Sequence, residues 1–292
     1  MSGITRRRAL TVLAAGVAAP AVGGPAPARW HGRAFGAEAQ ITLHGMGQAA
    51  LARVPELLDQ IEAAFSLYRE SELVRLNREG RLAASPRFAA LLGPSEQVWQ
   101  ATGGRFDPTV QPVWRALALG ERVDRQGIGW EKLRIDRQHV RLAPGQALTF
   151  NGIAQGWAAD VVTAHLRANG ARRVLVDMGE PLATGGPFRI GLLDPELGLH
   201  GWRSLSDGAL ATSSPAAMSL GTEAHILDPR AERRPLWSSV TVEAETGWQA
   251  DGFSTGFIHM TEAEIAAVLH GVGGLRRVVL VTLAGEVKTL AS

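Results

Sequence analysis

Hydrophobic and polar positions change period along the chain, and the changes mark out its elements. Residues 40–44 alternate polar and apolar, as a strand with one buried face does. Leu51, Val54, Leu58, Ile61 and Phe65 then recur at helical spacing, with Pro55 inside the pattern, where it would shorten or kink the helix. A second helix is predicted over 86–102, ended by Gly103-Gly104. A third carries the stripe Trp157, Val161, Val162 and Leu166 and stops at Asn169-Gly170. Val174-Leu175-Val176 predicts a short strand directly after it. Further strands are predicted at 188–193, 239–243, 277–281 and 286–290, with one helix over 248–260. No internal repeat or long linker interrupts the pattern, so 34–290 is expected to be a single domain. Irregular alternation with hairpin-like pairs predicts an α+β fold rather than a doubly wound parallel sheet.

Composition narrows the picture. The 292 residues are 46% hydrophobic and 20% charged, which excludes a disordered or collagen-like chain. There is no Cys, which removes disulfides, zinc-thiolate sites, thiol nucleophiles and a Cys-linked lipid anchor. The formal charge of +2 is unevenly placed, because Arg6, Arg7 and Arg8 precede Glu38, the first acidic residue. A basic start, the small apolar run 9–19 and Ala26-Pro27-Ala28 form the pattern of an export signal, here expected over 1–28. Thr5-Arg6-Arg7-Arg8-Ala9-Leu10 resembles a twin-arginine signal. Cleavage after Ala28 would remove three arginines and no acid, taking the charge from +2 to −1, so nothing argues for nucleic acid. The expectation is a periplasmic protein, held at the inner membrane only if the signal stays uncut.

Four segments carry candidate chemistry. Tyr68, the chain's single Tyr, follows a helix and reads either as packing or as a ring that stacks on a ligand. Gly103-Gly104-Arg105-Phe106-Asp107-Pro108 is a turn whose glycines would also allow a ligand close to the backbone. Asn151-Gly152-Ile153-Ala154-Gln155-Gly156 leads into a helix, either as a tight turn or as a helix start that holds phosphate oxygens. Asp251 and Thr255, four apart, would share one helix face and could offer two oxygens to Mg²⁺; alternatively Asp251 caps the helix. His225, in His225-Ile226-Leu227-Asp228-Pro229-Arg230, is a general-base or a structural histidine. No His-x-Glu or His-Glu-x-x-His spacing is present, which argues against zinc.

Taken in order, Phe65-Ser66-Leu67-Tyr68, Gly104-Arg105-Phe106-Asp107-Pro108-Thr109, Gly152-Ile153-Ala154-Gln155-Gly156-Trp157, Ala211-Thr212-Ser213, His225 to Arg230, and Ala250-Asp251 with Thr255 resemble the ApbE family of exported flavin transferases. The resemblance spans roughly Ala34 to Val281. It implies a T-fold-like α+β architecture of mixed, mostly antiparallel sheets packed with helices. It also implies Mg²⁺-dependent transfer of the FMN half of FAD to a Thr or Ser hydroxyl of a partner flavoprotein, with release of AMP. By the same resemblance the Asp251 and Thr255 side chains and the Gly152 carbonyl would bind Mg²⁺. Tyr68, Arg105, Phe106, Asp107, Gln155 and Leu227 would contact FAD. His225 would take the proton of the attacking hydroxyl, with Asp251 as the second catalytic residue.

Departures from the family pattern cluster around the same segments. Gln155 stands where Lys is frequent, Thr149 where Asp is, and Ala231-Glu232 replaces Thr-Gly. Two alternatives therefore accompany the transferase expectation: hydrolysis of FAD to FMN and AMP, and an exported flavin-binding protein without turnover.

Overall fold

The computed structural model describes residues 26–137 and 139–292. The export-signal segment, apart from Ala26-Pro27-Ala28, lies outside the described residues. In chain order the first half contains β1 (Ala28–Ala34), β2 (Ala37–His44), α1 (Val54–Phe65), α2 (Glu72–Glu79), β3 (Arg81–Ala83) and α3 (Pro86–Ala101). Then come α4 (Gln111–Leu119), β4 (Arg134–Asp136), β5 (His139–Arg141), α5 (Ala154–Ala168), β6 (Arg173–Asp177) and β7 (Pro181–Thr184). A hairpin of β8 (Phe188–Asp194) and β9 (Gly198–Leu205) precedes β10 (Gly208–Ser213) and the short pair β11 (Ser219–Leu220) and β12 (Glu223–Ala224). The chain ends with β13 (Trp237–Ala244), α6 (Gly247–Phe257), α7 (Glu262–Gly271), β14 (Leu275–Thr282) and β15 (Val287–Ala291).

Eight strands form one sheet in the order β1-β2-β6-β7-β10-β13-β14-β15, and every neighbouring pair is antiparallel. Helices cover one face of it, which makes the fold α+β as the pattern predicted. The main core lies between them: Ile41 and Leu43 of β2, Val240 and Val242 of β13, and Val278 and Leu280 of β14 meet Phe65, Leu91, Val162, Leu166 and Phe253 from the helices. Phe65 anchors the helical layer, with ring centroids 5.2 Å from Trp157, 5.5 Å from Phe88 and 5.6 Å from Phe150. A smaller cluster of Leu175, Ala183, Phe188, Ile190, Leu205 and Leu210 holds the β8–β9 hairpin to the sheet.

Most expected elements form, with physical corrections. Pro55 sits in the first turn of α1, where its missing N–H costs nothing, so the helix begins there and Leu51 falls in a preceding 3₁₀ turn. The polar residues after Tyr68 open α2, because Ser71 Oγ accepts from Val74 N and caps it. The helix expected over 248–260 ends at Phe257; Thr261 and Glu264 form a capping box that starts a separate α7. Ala28, the predicted cleavage point, is the first residue of β1 and pairs with Leu43. Among the described residues no helix is long and apolar enough to cross a membrane.

Candidate active site

The site is built where the N-terminal ends of α5 and α6 cross at the end of β10. Phe150 O accepts from Ile153 N and Ala154 N, and Thr149 N donates to Pro108 O at 2.8 Å, which brings the turn before α5 against the segment 105–109. Gly152 approaches α6 so closely that a Cβ there would stand 2.8 Å from Thr255 Oγ1. The Thr255 hydroxyl lies 3.4 Å from Gly152 O and 3.3 Å from Ser213 Oγ at the end of β10. Asp251, one turn earlier on α6, accepts from Gly156 N through Oδ2 at 3.0 Å. Asp251 is therefore not the cap of its own helix: Thr246 holds the N-cap position and Asp251 lies four residues past the first helical residue.

One cavity collects nearly all the candidates. Gly152, Gln155, Asp251 and Thr255 form one wall, Arg105, Phe106 and Asp107 a second, and His225 and Leu227 a third. Tyr68 does not border it; the residue is 64% exposed. Among the described residues no group of three or more His, Asp and Glu side chains is placed to hold a metal. A cation here would therefore rely on hydroxyl and carbonyl oxygens beside Asp251.

Each wall has an internal reason for its shape. Gly103 and Gly104 take φ of +57° and +80°, the left-handed region, to turn the chain out of α3. Asp107 then ties the turn inward: its Oδ1 accepts from Thr109 N and Oγ1, and its Oδ2 from Trp130 N. Burial pushes its carboxyl up from the ordinary value, against those hydrogen bonds. Arg105 is buried and doubly paired, 2.6 Å from Asp228 Oδ2 and 2.7 Å from Glu232 Oε2. Burial raises Asp228, but the bond from Arg105 and the amides of Arg233 and Arg230 outweigh it and hold the carboxyl below its usual range. Glu232, one of the departures noted above, thus supplies Arg105 with a second carboxylate. Gln155 donates through Nε2 to Met178 O at 2.8 Å and holds the β6–β7 turn against α5.

His225 follows β12 and folds back on Met218. Its main-chain N and its ring Nδ1 both lie on Met218 O, at 3.3 and 3.0 Å. Donation from Nδ1 selects the tautomer in which Nε2 carries the lone pair. Buried His259 places Nε2 3.2 Å from Ile226 O, and burial lowers its pKa.

The cavity also includes residues that carried no assigned role in the sequence. Ser213 joins Thr255 and Ser254, and Glu180, whose Oε2 accepts from Thr212 N at 3.1 Å, closes the floor. Ala211-Thr212-Ser213 was visible as a motif without a role. Trp114 of α4 also lines the cavity, and nothing in its local sequence signals this.

Comparison with known proteins decides the family. The model described as "ApbE family" matches residues 35–277. The chain belongs to the ApbE family. A relative from Haemophilus influenzae, named FAD:protein FMN transferase, is 25% identical over 249 residues, covering 72% of each chain. One of the same name from Salmonella typhimurium is 25% identical over 246 residues, covering 70% of this chain and 69% of its own. Among solved structures, the flavin transferase ApbE from Vibrio cholerae superposes with a TM-score of 0.79 at 24% identity, covering 91% of this chain and 97% of its own. The ApbE protein from Thermotoga maritima gives 0.80 at 22% identity, covering 90% and 96%. These likenesses bear out the α+β fold of the family.

Proposed function

We propose that this chain is an FAD:protein FMN transferase, moving the FMN half of FAD onto a Thr or Ser hydroxyl of an acceptor protein and releasing AMP. One observation carries the reading: the Asp251 carboxylate, the Thr255 hydroxyl and the Gly152 carbonyl meet on one wall of a cavity that His225 also borders. The curated relatives that bear the transferase name support it.

The donor set fits Mg²⁺. All three groups offer hard oxygen, and Gly152 leaves the space beside Thr255 Oγ1 that any side chain would fill. The charge balance points the same way. Asp251, Glu180 and Asp107 line the cavity, whereas Arg105 is already neutralised by Asp228 and Glu232. A pyrophosphate entering this site would face net negative charge without a cation. Mg²⁺, when bound, would neutralise charge on the pyrophosphate oxygens and orient the in-line displacement.

The chain's own groups do the rest. The acceptor's hydroxyl oxygen bonds to the FMN phosphorus, the bond to the bridging oxygen breaks, and AMP leaves with that electron pair. His225 takes the hydroxyl proton on Nε2, a role set up by the bond from Nδ1 to Met218 O. Gly152 and the helix start behind it allow the close approach of phosphate oxygens. The export pattern over residues 1–28 supports placing this chemistry in the periplasm; the intact mass of the exported protein tests cleavage.

Incubation with FAD, MgCl₂ and candidate acceptor proteins tests the whole reading by mass spectrometry. An adduct of FMN mass, lost in Asp251→Ala and slowed in His225→Ala with FAD binding preserved, is the expected result. Free FMN and AMP without adduct would replace transfer by hydrolysis, and FAD binding with neither product would remove the enzymatic reading.

A further inference from the structure

A short repetition lies hidden in the two helices that form the site. Gly156-Trp157-Ala158-Ala159-Asp160 lies in the first turns of α5 and Gly247-Trp248-Gln249-Ala250-Asp251 opens α6: the same G-W-x-A-D pattern. The two copies sit against each other. A Cβ on Gly156 would stand 2.1 Å from Gly247 O, and one on Gly247 would stand 2.2 Å from Gly156 O, so the backbones touch where the helices cross.

The aspartates then exchange roles. A helix start leaves amide groups unpaired, and neither helix caps them with its own N-cap side chain. Asp251 of α6 accepts from Gly156 N of α5 at 3.0 Å. Asp160 of α5 accepts from Gly247 N at 2.7 Å and Trp248 N at 2.9 Å of α6. Each helix is capped by the other's carboxylate. Asp251 borders the cavity and Asp160 does not. Burial pushes Asp160 up to about 6 against both of its hydrogen bonds, so its charge is held there at a cost. That cost needs a return, and the position of α6 supplies one.

We propose that Asp160 is a positioning residue for the active site: by capping α6 in trans it sets where Asp251 and Thr255 stand relative to Gly152. The inference rests on the cation-dependent reading above, and one set of measurements separates the two. The probe is Mn²⁺ binding to the full chain without FAD, followed by electron paramagnetic resonance and competed with Mg²⁺, alongside transfer rates. Asp251→Ala should abolish Mn²⁺ binding. Asp160→Ala should weaken it at least ten-fold and slow transfer, and Asp160→Asn should recover part of the loss, because its amide oxygen still accepts from one amide. Thr261→Ala, which breaks the capping box of α7, serves as a destabilised control and should bind Mn²⁺ as the wild type does.

Mn²⁺ affinity in Asp160→Ala and Asp160→Asn no weaker than in that control would overturn the positioning role. Intact binding in Asp251→Ala would instead overturn the cation reading. If Asp160→Ala does not fold, Asp160→Asn alone decides: wild-type affinity refutes the role and a partial loss supports it.

Discussion

Replacing Gly156 by Ala sets two effects of opposite sign against each other. Ala is about 1 kcal/mol better than Gly inside a helix, and Gly156 lies in the first turn of α5 with no positive φ to require glycine. The opposing effect is contact. The new Cβ would meet Gly247 O at 2.1 Å, Gly247 C at 2.4 Å and Asp251 Cβ at 2.8 Å. Two of these atoms are backbone and cannot rotate away. Reaching ordinary contact at 3.4 Å requires the helices to part by about 1.3 Å. That movement overpacks the core, at ~1–3 kcal/mol. It also stretches the 3.0 Å bond from Gly156 N to Asp251 beyond hydrogen-bond range, a loss of ~1.5–3 kcal/mol for a charged acceptor. After the propensity gain, the net destabilisation is ~1.5–5 kcal/mol, or a fall in Tm of roughly 3–20 °C for a domain of this size. Thermal and urea unfolding of Gly156→Ala measure it. Gly271→Ala, at a helical position where a Cβ meets nothing within 4 Å, is the control and should be neutral or slightly stabilising. A Tm for Gly156→Ala within about 2 °C of wild type, or above it, would refute the direct contact of α5 and α6.

Asp228→Ala leaves the buried guanidinium of Arg105 with only the exposed Glu232, and should cost ~3–5 kcal/mol in urea unfolding. Phe65→Ala empties the ring cluster with Phe88, Phe150 and Trp157, and should cost ~3–5 kcal/mol, read as a lower urea midpoint. Stability should also depend on pH through Asp160. Its folded pKa of about 6 lies above the ordinary 3.8, so the folded state holds the proton more tightly, and that contribution is complete below 3.8 and lost as pH rises through 6. The difference between wild type and Asp160→Asn should therefore shift by about 3 kcal/mol, against the wild type, between pH 3.5 and 7. A difference independent of pH would contradict the burial of this carboxyl.

Much of the helical layer was legible because amphipathic spacing is local. The stripe Leu58, Ile61 and Phe65 buries its apolar side as the period requires, and 86–102 needed only Ser85 at the cap and Pro86 in the first turn. Capping was harder to see. Ser71 starts α2 in a short, strongly polar stretch, and Thr261 starts α7 where the apolar residues favour no single face, so apolar spacing predicts neither helix. The partners of β1, β9 and β10 could not be read either, since pairing depends on which distant strand supplies the complementary edge.

The site divides along the same line. Asp251 and Thr255 were visible as a pair because i and i+4 share a helix face whatever the helix packs against. Arg105 and Asp107 line the cavity, yet their hydrogen bonds run to Asp228, Glu232 and Trp130, residues 23 to 127 positions away. By itself the sequence determined the longer amphipathic helices and several strands, the oxygen-rich helix face and the Cys-free chemistry. These follow from nearest-neighbour spacing and composition, which folding cannot alter. Only the tertiary structure decided that Gly152 meets Thr255, that Ser213 and Glu180 join the cavity, and that Asp160 and Asp251 cap each other's helices. A hydrogen bond between distant segments depends on tenths of an ångström in how two backbones cross, and that distance is set by the packing of the whole core.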